Sequence, residues 1–111
     1  MIGKDIKEQW HLLHVFSNCD AKLYFAILNT NRKEKLLRAI REIFFNIGHL
    51  NFEIPDAVVK KLKKNHRFIS LLLGDRNQLE NIVRKHKSLI QVGLTCALRY
   101  LTEEKESKNQ K

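Results

Sequence analysis

The stretch from Arg76 to Leu101, RNQLENIVRKHKSLIQVGLTCALRYL, contains no proline and repeats apolar residues at steps of three and four. One row runs through Leu79, Ile82, His86, Leu89, Gly93, Cys96 and Tyr100, and a second through Val83, Ile90, Leu94, Ala97 and Leu101. Two adjacent rows make the wide stripe of a core-facing helix. Between Leu89 and Leu101 the polar side chains are Gln91, Thr95 and Arg99, a single line at four-residue spacing. That half must be covered on most sides, so the rest of the chain has to fold around it. The first half, with Arg76, Arg84, Lys85 and Lys87, is the wetter end. A straight helix over these 26 residues would run about 39 Å. A compact domain of this length has a diameter of roughly 34 Å. The helix therefore bends near Lys87–Ser88, or its end pairs with a second copy. A homodimer through the C-terminal helix is the expectation that follows from the second case.

The preceding chain supplies the covering elements. Asp5–Ser17 reads as a helix with Ile6, Trp10, Leu13 and Phe16 on one face, and Asp5 with Glu8 is spaced as a capping box. Asp20 is placed to cap a second helix, Ala21–Leu28, whose sequence AKLYFAIL is apolar nearly all round and reads as a buried helix, although eight such residues also suit a strand. Thr30 or Asn31 caps a third helix, Arg32–Asn46. Its inner face is Leu36, Leu37, Ile40, Ile43, Phe44 and Ile47, and Arg32, Lys33, Lys35, Arg38 and Arg41 point mostly the other way. Gly48 sits where a helix ends. Pro55 opens a fourth helix, with Asp56 in the first turn. That helix passes Leu62 and either frays at Asn65–His66 or continues through Phe68–Leu73 to Gly74, after which Asp75 caps the last one. One proline and four glycines in 111 residues fit this helical pattern. The expectation is an all-α, single-domain bundle of four to six helices over residues 1–101, with a polar, disordered tail at 102–111.

Lys and Arg number 21 against 12 Asp and Glu, a net charge of +9. The tail carries three lysines and three glutamates, so the excess belongs to the folded body. Such a balance suits a polyanionic partner. The densest run is Lys60-Lys61-Leu62-Lys63-Lys64-Asn65-His66-Arg67. With Leu62 facing inward, its cations fan over a wide arc, as phosphate contacts require. The candidate nucleic-acid-binding residues are Lys60, Lys61, Lys63, Lys64 and Arg67, joined by Arg38 and Arg41 on the third helix and by Arg84, Lys85 and Lys87 on the last. The aromatic residues mostly fall in apolar rows, which favours contact with the phosphate backbone over base stacking.

Leu50-Asn51-Phe52-Glu53-Ile54 alternates like a strand, and PDAVVKKLKK follows it. These segments resemble the strand and first helix of the ribbon-helix-helix DNA-binding proteins, and SLIQVGLTCALRYL resembles that family's second helix. The resemblance would pair two copies through their strands and assign base reading to Asn51 and Glu53. The sequence departs from the family pattern in the acidic Glu53, in the longer spacing from Pro55 to Ser88, and in the helical region before the strand.

Other chemistries find little support. Cys19 and Cys96 sit among apolar residues and read as buried free thiols of a reducing compartment. No apolar leader and no membrane-length segment is visible, so an intracellular location, cytoplasmic or nuclear, is expected. His11, His14 and Cys19 fall short of a four-ligand zinc pattern. Phosphate loops, nucleophile elbows and paired carboxylates are missing, which argues against an enzyme and against a bound cofactor. The composite expectation is a small basic nucleic-acid-binding accessory or regulatory protein of the viral, phage or plasmid kind. The alternative is a helical protein-interaction module, such as an inhibitor, immunity-type protein or assembly subunit that binds an acidic partner.

Overall fold

The computed structural model describes residues 3–49, 52–64, 74 and 76–109. They form α1 (Lys4–Glu8), α2 (Trp10–Ser17), α3 (Ala21–Leu28), α4 (Lys33–Gly48), α5 (Asp56–Lys64), α6 (Arg76–Lys85) and α7 (Lys87–Asn109). No strand occurs among the described residues, and the chain is all-α. Among the described residues the helices number seven, where four to six were expected, because two of the expected helices each carry one break. The first break is at Gln9, between α1 and α2. Hydrogen bonds from the Gln9 amide to Asp5 O (3.1 Å) and from the Leu13 amide to Gln9 O (2.7 Å) carry the ladder across it.

The second break, at His86, has a visible cause. The buried Tyr24 hydroxyl donates to the Val83 carbonyl at 2.6 Å. In an uninterrupted helix that carbonyl accepts from the Lys87 amide. A side chain inserted at this point of a ladder bends a helix. The neighbouring bonds persist, from the His86 amide to Ile82 O (3.0 Å) and from the Ile90 amide to His86 O (2.9 Å). The break also accords with the size of the molecule. The segment from 76 to 109 would extend about 50 Å if straight, whereas the molecule measures 41 × 30 × 24 Å.

The remainder of α7 is the central strut. Of residues 89–101 only Thr95 and Arg99 are exposed. The helices α2, α4 and α5 pack against it, and α1 and α6 pack on α4. Gly93 lets the Phe44 ring lie directly against the α7 backbone, for a Cβ there would fall 2.5 Å from Phe44 Cζ. The polar line on α7 is also used. Gln91 Nε2 donates to the carbonyls of Phe16 (3.0 Å) and Cys19 (2.9 Å), and Thr95 Oγ1 donates to that of Ser17 (3.4 Å). These bonds satisfy carbonyls at the end of α2 and just beyond it.

Several local expectations shift. Asp20 caps α3 as expected, accepting from the Leu23 amide at 2.9 Å. Gly3, not Asp5, precedes the first helical residue, and the Glu42 carboxylate accepts from the Gly3 amide. Thr30 donates to Ile27 O at 2.7 Å and so finishes α3. Gly48 is itself the last residue of α4. Leu23, on the helix expected to be buried all round, is 44 % exposed. Cys19 and Cys96 are free but only partly buried. The last helix extends to Asn109, past residue 101, through a Glu- and Lys-rich segment of good helix formers. The expected path of the fourth helix through Phe68–Leu73 and the Asp75 cap lie outside the described residues.

Candidate nucleic-acid interface

The α5 helix begins where the Pro55 carbonyl accepts from the amides of Val58 and Val59, at 2.9 and 3.0 Å. Asp56 occupies the first turn and Lys61, Lys63 and Lys64 the last, an order that suits the helix dipole. Leu62 is 2 % exposed and anchors the helix; Lys60, Lys61, Lys63 and Lys64 are all exposed. Arg67 and Asn51 lie outside the described residues. Residues 53–55 have no regular secondary structure. The alternation that suggested a strand instead turns Phe52 inward, leaves Glu53 exposed and packs Ile54 partly on the core. Phe52 and Tyr100 approach with ring centroids 5.4 Å apart.

Arg38 and Arg41 lie elsewhere, in an open groove of about 800 Å³ between α1, α4 and α6. Its wall on α4 is Glu34, Leu37, Arg38, Arg41, Glu42 and Phe45. Lys4 and Asp5 enter from α1 and Leu79 from α6. Arg38 is exposed and Arg41 partly so. Phe45 is 49 % exposed, and the His49 ring packs on it with centroids 4.2 Å apart. Burial and the nearby Asp5 push the Glu42 carboxyl above its ordinary range. The expectation that aromatics mostly sit in apolar rows misses Phe45. It is next to Phe44, but one residue is about 100° on a helix, so the neighbours leave it roughly at right angles.

The cations near the α6–α7 bend divide. Arg84 Nε donates to Glu80 at 3.0 Å, and its Nη2 reaches Leu28 O at 3.3 Å and Asn29 Oδ1 at 2.8 Å. Lys33 Nζ pairs with the other Glu80 oxygen at 3.0 Å. This cluster ties the end of α3 and the start of α4 to α6. It also holds the Glu80 carboxyl below its ordinary range, through hydrogen bonds from Lys33 and Arg84. Lys87 lies 5.7 Å from the centre of the Tyr24 ring and donates to Gln91 at 3.0 Å. Arg84 and Lys87 thus serve the fold, and Lys85 remains exposed. A sequence carries no mark that separates an arginine capping a distant helix end from one facing water.

A second groove, between α2 and α3, is lined by His14, Val15, Asn18, Cys19, Asp20, Lys22, Leu23 and Ala26. Val15 and Leu23 are 46 % and 44 % exposed. His11 and His14 are exposed as well, and no group of three metal-ligating side chains occurs among the described residues. Burial pushes both cysteine thiols above their ordinary value, against the reactive thiolate form. No helix among the described residues is long and apolar enough to cross a membrane. No known family model, curated protein or solved structure matches the chain.

Proposed function

We propose that the protein binds nucleic acid chiefly through the phosphate backbone, with the exposed face of α5 as the principal contact. The observation that carries this reading is the disposition of Lys60, Lys61, Lys63 and Lys64 around the single buried Leu62. Four exposed cations on one short helix, on a chain of net charge +9, suit a ligand that presents closely spaced phosphates. Lys85 and Arg38 add exposed charge, while Arg84 and Lys87 are committed to packing. Fluorescence anisotropy with a labelled oligonucleotide tests the reading. Four phosphate contacts predict an affinity that falls on the order of 100-fold between 50 and 200 mM salt. Reversing the four α5 lysines to glutamate should weaken binding far more than reversing Lys105, Lys108 and Lys111. An equal effect of the two sets would remove α5 from the contact. Absence of binding at low salt would remove nucleic acid altogether.

A second reading, a protein-interaction module, is favoured by one observation. The α2–α3 groove exposes Val15 and Leu23 side by side with Ala26, and contiguous apolar surface marks protein contacts. Co-purification from the native host that yields a protein partner lost on Leu23→Glu supports this second reading.

A further inference from the structure

The groove between α1, α4 and α6 differs in kind from the α5 face. Among the described residues its ionic side chains are Lys4, Arg38 and Arg41, balanced by Asp5, Glu34 and Glu42, with no formal excess of positive charge among them. Phosphate alone is a poor occupant of such a place. Between these groups lies an apolar surface made of Leu37, Leu79 and the half-exposed Phe45. Phe45 is the one large aromatic side chain among the described residues that is both exposed and set in a groove, and the His49 ring supports it from the following turn. On α4 the residues Arg38, Arg41 and Phe45 follow at three- and four-residue steps, one continuous stripe. A flat apolar ring, guanidinium donors and carboxylate acceptors are together complementary to one ligand class: a nucleotide whose base is unpaired. The base stacks on the aromatic ring, its amino or ring N–H groups donate to carboxylates, and its phosphate meets the arginines. In a duplex the same base edges and faces are occupied by pairing and stacking.

We infer that this groove holds an unpaired base of a single-stranded segment on Phe45, with Arg38 and Arg41 on the adjoining phosphate. The inference rests on the nucleic-acid reading above and narrows it from backbone contact in general to a preference for single strands. The volume of about 800 Å³ falls within the range of about 300–1,000 Å³ typical of small-molecule sites. Phe45 points away from the core, so its replacement leaves the packing of α4 on α7 in place.

The test compares Phe45→Ala and Phe45→Trp with the unmodified full chain, against a labelled 20-nucleotide single strand of mixed sequence and the same sequence as a duplex. Thermal unfolding of each variant is run alongside. Loss of one stacked base predicts a roughly 5- to 100-fold weaker single-strand affinity for Phe45→Ala. Duplex affinity should be unchanged, and Phe45→Trp should restore the single-strand affinity. A strand carrying 2-aminopurine should lose fluorescence on binding the unmodified protein and keep it with Phe45→Ala. If the unmodified protein binds both probes and Phe45→Ala alters neither, or alters both equally, the groove assignment is overturned while the α5 reading stands. That same result is expected if the groove takes a protein segment. If neither probe binds at low salt, both the groove assignment and the nucleic-acid reading fall together.

Discussion

Tyr24 has its phenol oxygen buried and bonded to the Val83 carbonyl at 2.6 Å, and its ring stacked on Phe16 with centroids 4.1 Å apart. Burial raises its pKa well above that of an ordinary phenol, so it stays a donor throughout the accessible pH range. Replacing Tyr24 by Phe keeps the stack and removes the donor, and it should destabilise the protein by about 1–3 kcal/mol in denaturant unfolding. Two carboxylates give opposite pH signatures. Glu80 has a lowered folded pKa because Lys33 and Arg84 hydrogen-bond to it. Its contribution is therefore present above the ordinary value of 4.5 and lost as pH falls through the folded one. Glu42 has a raised folded pKa, from burial and then Asp5. Its contribution is greatest in acid and is lost as pH rises through that raised value. Unfolding measured from pH 2 to 7 should show Glu80→Gln less stable than the natural protein at pH 7, the gap closing below the ordinary value of 4.5. Glu42→Gln keeps the acceptor for the Gly3 amide, and it should be more stable than the natural protein at pH 7 and equal to it near pH 4.

At the level of helices, the inner face of α4 and the burial of α7 were legible because their apolar residues recur with helical period over three or more turns. The limits of α3 were equally plain, since Asp20 caps one end and polar residues close the other. The break at Gln9 was not legible, as no proline or glycine marks it, whereas a bend near Lys87–Ser88 was one of the two outcomes that helix length allowed, and only its cause was hidden. That cause is a tyrosine 59 residues away in sequence. The strand reading of 50–54 does not hold at residues 52–54, which form no strand. Alternation specifies which side chains turn inward, and an irregular segment against α7 satisfies it without a partner strand. Gly93 illustrates a contact between helices that one residue controls. Gly93→Ala would set a methyl 2.5 Å from Phe44 Cζ and 2.8 Å from Cε1. Overpacking costs about 1–3 kcal/mol, against roughly 1 kcal/mol gained from helix propensity. Chemical unfolding should therefore show a net loss, and adding Phe44→Leu should make the pair of changes less damaging than their sum.

The whole molecule has a radius of gyration of 13.5 Å, close to the value of about 13 Å expected for a compact chain of this length. The apolar row that suggested pairing with a second copy is covered within one chain by α2, α4 and α5. With a charge of +9, self-repulsion opposes the compact state. Raising NaCl from 20 to 200 mM should raise the unfolding temperature by a few degrees. Over the same range nucleic-acid affinity should fall, so a single titration followed by both readouts separates the two effects. The polar clasp between α7 and the end of α2 has a consequence for how the protein is made. The bonds of Gln91 and Thr95 join residues 72 to 78 positions apart. During synthesis α2, α3 and α4 emerge while the helix that buries them has not yet been translated. Leu13, Phe16 and Phe44 then lack the surface that α7 supplies, and the core is completed only once α7 has been translated.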